Sequence, residues 1–130
     1  MDLEATAENM EVKILPTPGL RDDLNAIYIH GHRVIFIQEN LGPYTARSAR
    51  THELGHAHHK DEHSCSIRLE RRADEWAAGA LITPHDSREA EQLYGHRTGV
   101  IAWALGVTPH LVKVWRTMAR TAPRKITVRN

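Results

Sequence analysis

The sequence has a single cysteine, Cys65, in 130 residues. No internal disulfide can staple it, and a reducing compartment suits such a chain. It contains nothing near the roughly 20 consecutive apolar residues that span a bilayer. Residues 1–11 are acidic, with Asp2, Glu4, Glu8 and Glu11, and lack the basic and apolar regions of a signal peptide. A cytoplasmic location without membrane contact is the expectation. The chain also lacks excess charge: at a formal net charge of +1, bulk electrostatics names no partner. Internal repeats and low-complexity tracts are missing as well. At 41% hydrophobic and 25% charged residues, the composition is that of one ordinary domain with one core.

What is abundant is histidine. There are ten, and His56, His58, His59 and His63 fall within eight positions. Cys65 lies close to them and could be a ligand, but no cationic setting is arranged around its thiol, which favours an incidental small side chain.

Residues 1–11 read as a loose or marginally helical arm. After turn signals at Pro16, Pro18 and Gly19, segments 26–30 and 34–37 are rich in β-branched and aromatic residues and flank His30-Gly31-His32-Arg33, which predicts a β-hairpin. His30 and His32 at its tip read as solvated turn residues rather than ligands, since metal sites favour rigid elements. Gly42 and Pro43 close the strand region, and Thr45 is a candidate N-cap for a helix through Ala46, Ala49, His52, Leu54 and His56. Residues 60–66 form a polar loop. From about Ile67, the positions Leu69, Ala73, Trp76, Ala77, Ala80 and Leu81 recur at helical spacing up to Pro84. A third, more polar helix spans 84–94 and ends at Gly95. An apolar run follows over 100–105, and Thr108-Pro109 has the cap-and-first-turn pattern of a last helix from His110 to about Arg120.

Residues 52–56 read His-Glu-Leu-Gly-His. On a helix, positions four apart differ by about 400° of rotation and about 6 Å of rise, so both imidazoles share one face within reach of one tetrahedral ion. Glu53 lies about 100° round, unable to join them as a ligand but able to reach a water in an open metal position. The bland alternative is a helix with two surface histidines and a paired glutamate. A zinc ion needs a third protein ligand. A nearby third histidine fits poorly, because the relevant positions hold His59 and Glu62, although Glu62 or His63 could substitute. A carboxylate from the next helix fits better, with a second acid four residues on to support a ligating histidine: Glu70 and Asp74 have that spacing beside the apolar face of Leu69, Ala73, Trp76 and Ala77. Ordinary surface pairing of these acids is the alternative.

Three blocks in order, His52-Glu53-Leu54-Gly55-His56, Glu70-Arg71-Arg72-Ala73-Asp74-Glu75-Trp76-Ala77-Ala78 and Leu81-Ile82-Thr83-Pro84, resemble the ImmA/IrrE family of metallopeptidases, especially its small phage and mobile-element versions, over roughly residues 25 to 120. The third block departs from the more usual Leu-Leu-Met-Pro, and the interval from Glu70 to Pro84 is one residue longer than common. The resemblance implies zinc held by His52, His56 and Glu70, Glu53 as general base, and a helix-turn-helix repressor as the protein substrate. The expected fold is α+β: a small zincin-like domain with an N-terminal β-hairpin or small sheet, a helix carrying HExxH, a glutamate helix and C-terminal helices. The expected organisation is an N-terminal arm over 1–19, a metallopeptidase core over 20–95, and a C-terminal helix-turn-helix-like segment over 96–130 packed on the core. Asp74 would orient a histidine, and His85, Tyr94, His96 or Arg97 are candidates for a second oxyanion donor. Lys113, Arg116, Arg120, Arg124, Lys125 and Arg129 make residues 109–130 basic, so weak DNA binding is the rival function, with Trp103, Leu105, Leu111, Val114 and Trp115 as core residues of a helical cap otherwise. A third reading is a repressor-binding protein with a structural zinc.

Overall fold

A computed structural model describes residues 1–62 and 66–122. Its elements in chain order are α1 (Leu3–Asn9), β1 (Lys13–Thr17), β2 (Ala26–Ile29), a 3-10 turn (His30–His32), β3 (Val34–Gln38), α2 (Pro43–His58), α3 (Ile67–Leu81), α4 (Pro84–Tyr94), α5 (Thr98–Leu105) and α6 (Pro109–Thr121). The class is α+β, as expected.

The hairpin is present: β2 runs antiparallel to β3, with Ala26 opposite Ile37 and Ile29 opposite Val34. Of the loose or marginally helical arm expected over residues 1–11, the helix is present as α1, but it is anchored to the sheet. Asp2 caps α1 by accepting from the Ala5 amide, Ala7 and Val12 are buried with the sheet residues Tyr28, Ile35 and Ile37, and β1 pairs parallel to β3. Strand order is therefore β1-β3-β2. The sequence signal for β1 was hidden because Lys-Ile-Leu-Pro-Thr carries a proline, which an edge strand tolerates when its missing N–H faces away from the ladder.

The start of α2 also differs from expectation. Gly42 occupies the cap position and Pro43 the first turn; proline's fixed φ is already helical and its absent N–H needs no partner there. Thr45 lies inside the helix. The caps expected at Thr108 and the stop at Gly95 are as read: the Thr108 hydroxyl accepts from the Leu111 amide, and Gly95 closes α4.

The apolar interior falls into two clusters. One joins the sheet, α1 and α2 through Ile35, Leu54 and Ala57; the other joins α3 to α6 through Ala77, Ala78, Ile101, Leu111 and Val112. They meet where α2 crosses α3. At that crossing a Cβ on Gly55 would stand 3.0 Å from the Ala73 carbonyl oxygen and 3.1 Å from its Cα. Small residues here let two backbones approach, and the approach sets how far side chains of one helix reach across to the other. Trp103, expected in the core, is instead 59% exposed and packs edge-on against Tyr94.

Gly55→Ala tests this crossing. Alanine gains about 1 kcal/mol in helix propensity, but overpacking against a neighbouring backbone costs about 1–3 kcal/mol. The expected result is a net loss of stability in urea unfolding; a variant more stable than the parent would mean the helices can separate freely.

Candidate metal centre

The crossing places chemistry symmetrically. His52 and His56 stand three residues before and one after Gly55, and Glu70 and Asp74 stand three before and one after Ala73. Each pair occupies one helix face, and the two faces oppose each other. His52 Nε2 is 2.8 Å from Glu70 Oε2, and His56 Nε2 is 3.0 Å from Glu70 Oε1. Ligating atoms of His52, His56 and Glu70 all lie within 4.8 Å of one another, and among the described residues they form the one such group able to hold a metal ion.

Both imidazoles are held from behind. His52 Nδ1 is 2.7 Å from Asp74 Oδ1, the partnership expected of Asp74. His56 Nδ1 is 2.9 Å from Asp61 Oδ2, which the sequence reading did not foresee. A carboxylate on Nδ1 fixes the tautomer and leaves Nε2 to present its lone pair, so both histidines are prepared as ligands.

Asp61 is delivered by the way α2 ends. Lys60 takes a left-handed φ of 57°, and the amides of Lys60 and Asp61 donate to the carbonyls of Ala57 and His56. This is a Schellman ending with lysine where glycine is usual. It folds Asp61 back beneath His56, where its side chain is 4% exposed and Arg72 Nη2 donates to Oδ1 at 2.6 Å. An acid just past the helix end was the only sequence signal, and it sat in a segment that reads as polar loop.

Glu53 is buried beside the group, not within it. Its Oε1 accepts from the Tyr28 amide at 2.9 Å, so the edge strand β2 aims it, and its Oε2 lies 3.7 Å from His52 Nε2. Burial raises its pKa, opposed by the nearby His52 and His56 and by the Tyr28 amide. For His52, burial acts to lower the pKa, but the bond to Asp74 and the charges of Glu53, Asp74 and Glu70 prevail and push it up to about 9. Burial would raise Asp61 and Asp74, yet both are held below the usual carboxylate range, Asp61 by His56 and Arg72 and Asp74 by His52 and His110. Four carboxylates thus face one guanidinium and three imidazoles. A divalent cation between the Nε2 atoms and Glu70 offsets that excess, and three donors of nitrogen and oxygen type suit such an ion.

Among the described residues, two clefts reach the group. One of about 300 Å³ contains His52, Glu53, Asp74 and His110 beside residues 23–26; a groove of about 700 Å³ between α3 and α6 contains Glu70, Asp74, His110 and Val114. None of the four oxyanion candidates lines either cleft. His85 lies beside Glu89 on exposed α4, Tyr94 packs on Trp103, His96 bonds Glu91, and Arg97 precedes α5. His30 is taken by the Tyr28 hydroxyl at 2.7 Å, His58 stacks on Trp76, and Glu62 is outside the group. His63, Cys65, Arg124, Lys125 and Arg129 lie outside the described residues.

Compared with known protein families, residues 7–114 match Peptidase_M78, the IrrE N-terminal-like domain. No curated protein matches at a significant level. Among the described residues no helix is long and apolar enough to cross a membrane.

Asp61→Ala should lower affinity for a divalent metal about 10- to 100-fold in chelator competition; unchanged affinity would remove Asp61 from the centre. A second expectation concerns pH. His52 has a raised folded-state pKa, so its contribution to the stability of the metal-free chain is complete below about 6.5 and is lost as pH rises through about 9. Thermal unfolding in chelator should show that alkaline loss, and a bound metal, which requires the neutral ring, should diminish it. Identical pH profiles with and without metal would contradict the ligation of His52.

Proposed function

The chain belongs to the IrrE N-terminal-like peptidase family, and from that premise we propose that it is a zinc-dependent endopeptidase of the cytoplasm that cleaves a helix-turn-helix repressor of a phage or other mobile element. The observation that carries the reading is the convergence of His52, His56 and Glu70, each imidazole backed by its own carboxylate, with Glu53 buried alongside. Three protein donors are what a hydrolytic zinc site has; a structural one closes with four.

Bound there, zinc supplies the Lewis acidity that makes water a nucleophile near neutral pH. Glu53 accepts the water's proton at Oε2, because Oε1 is engaged by Tyr28, and then delivers it to the leaving amine. The upward push of burial on its pKa suits a group that must both take and return a proton. Asp74 and Asp61 keep the two rings in one tautomer throughout. Residues 23–26, ending on the first residue of β2, border the cleft at Glu53.

The DNA-binding reading has less support. Arg116 is engaged internally, donating to Thr98 Oγ1 and the His96 carbonyl, and Lys113 and Thr117 of α6 line the groove with α3.

The test is metal analysis of the purified chain, followed by incubation with the repressor encoded beside it and mass determination of fragments. One zinc per chain and discrete fragments are expected, and Glu53→Gln should keep the zinc while cleavage falls at least about 100-fold. A zinc-loaded wild-type chain that binds the repressor and leaves it intact would instead support a partner-binding protein with a structural metal.

A further inference from the structure

Asp74 holds two imidazoles at once. Its Oδ1 is 2.7 Å from His52 Nδ1 and its Oδ2 is 2.8 Å from His110 Nε2. One carboxylate, 20% exposed, therefore joins the metal-centre helix α2 to the first turn of α6, and the mechanism above makes no use of His110.

The position of His110 is set by α2 itself. Arg47 Nη1 donates to the carbonyls of Leu105 and Gly106 at 3.1 and 3.0 Å, and the Thr108 amide donates to Ser48 Oγ at 3.1 Å. Both α2 residues lie about one turn before His52. Gly106 makes the bend with a φ of 72°, and a Cβ there would stand 3.2 Å from the Arg47 guanidinium. The helix that carries His52 thus also fixes the start of the helix that carries His110. His110 also lines both clefts, where they meet at Asp74.

We infer that His110 is a positioning residue that couples α6 to the metal centre through Asp74. A carboxylate bonded at both oxygens has one orientation; without the donor on Oδ2 it can rotate or take up water, and His52 loses its fixed tautomer. The coupling is reciprocal, as any linkage is: a metal that fixes the His52 ring fixes Asp74 and, through it, the first turn of α6. The inference rests on His52, His56 and Glu70 being the ligands, and its test does not require proteolysis.

Zinc affinity, measured by competition with a chromophoric chelator, should fall about threefold to tenfold in His110→Ala. In His110→Gln, whose amide nitrogen reaches about where Nε2 sits, it should stay within about twofold of wild type. Zinc should slow amide hydrogen exchange at Leu111 and Val112 in the wild type and in His110→Gln, but not in His110→Ala. Wild-type affinity in His110→Ala, or persistence of the zinc-dependent protection there, overturns the coupling. Equal loss in the Ala and Gln variants overturns the hydrogen bond as its cause. His52→Ala separates the two levels: if it abolishes zinc uptake while His110→Ala changes nothing, the metal reading stands and only the coupling fails. If His52→Ala binds zinc as the wild type does, both fall.

Discussion

The close passage of α2 over α3 at Gly55 and Ala73 governs the rest of the molecule. Two helices whose backbones come this near cannot hold large side chains at the crossing point, and the residues just before and after it are brought face to face. Those residues are His52 and His56 on one side and Glu70 and Asp74 on the other. A looser crossing with a bulky residue in place of Gly55 would leave the same four side chains on the same faces, but out of reach of a common ion. Packing and coordination chemistry are here one constraint, since the seam between the two apolar clusters is also the site.

Around that seam the protein concentrates negative charge at a cost. Glu53, Asp61 and Asp74 are wholly or largely withdrawn from water, and desolvation penalises each as an anion. Asp61 and Asp74 are compensated by donors placed on their oxygens, Arg72 and three histidines, and are held as carboxylates. Glu53 has one backbone amide and neighbouring imidazoles, and its pKa goes up. The environments of these acids are pushed apart in the manner expected when some orient ligands and another handles a proton.

The elements outside the helix pair have specific uses in this arrangement. β2 is an edge strand, so the Tyr28 amide is free of the ladder and can aim Glu53. α1 contributes Ala7, and the residue before β1 contributes Val12, to the sheet's apolar cluster. α6, whose sequence suggests a nucleic-acid-reading helix, closes the α3 side and brings His110 to Asp74.

His52, Glu53, His56, Glu70 and Asp74 were legible from sequence alone because helical periodicity is local. The rotation per residue puts spaced side chains on one face whatever the helix packs against, and the caps at Thr108 and Gly95 are equally local. Tertiary structure alone decided the rest. Asp61 reaches His56 only because the chain reverses after His59; β1 is a strand only because β3 lies beside it; Tyr28 touches Glu53 across 25 positions and His110 touches Asp74 across 36. None of these contacts leaves a periodic trace, since the first depends on how one helix ends and the others on where two separate elements meet. Residue spacing determines what a helix offers, and the crossing of helices determines what receives it.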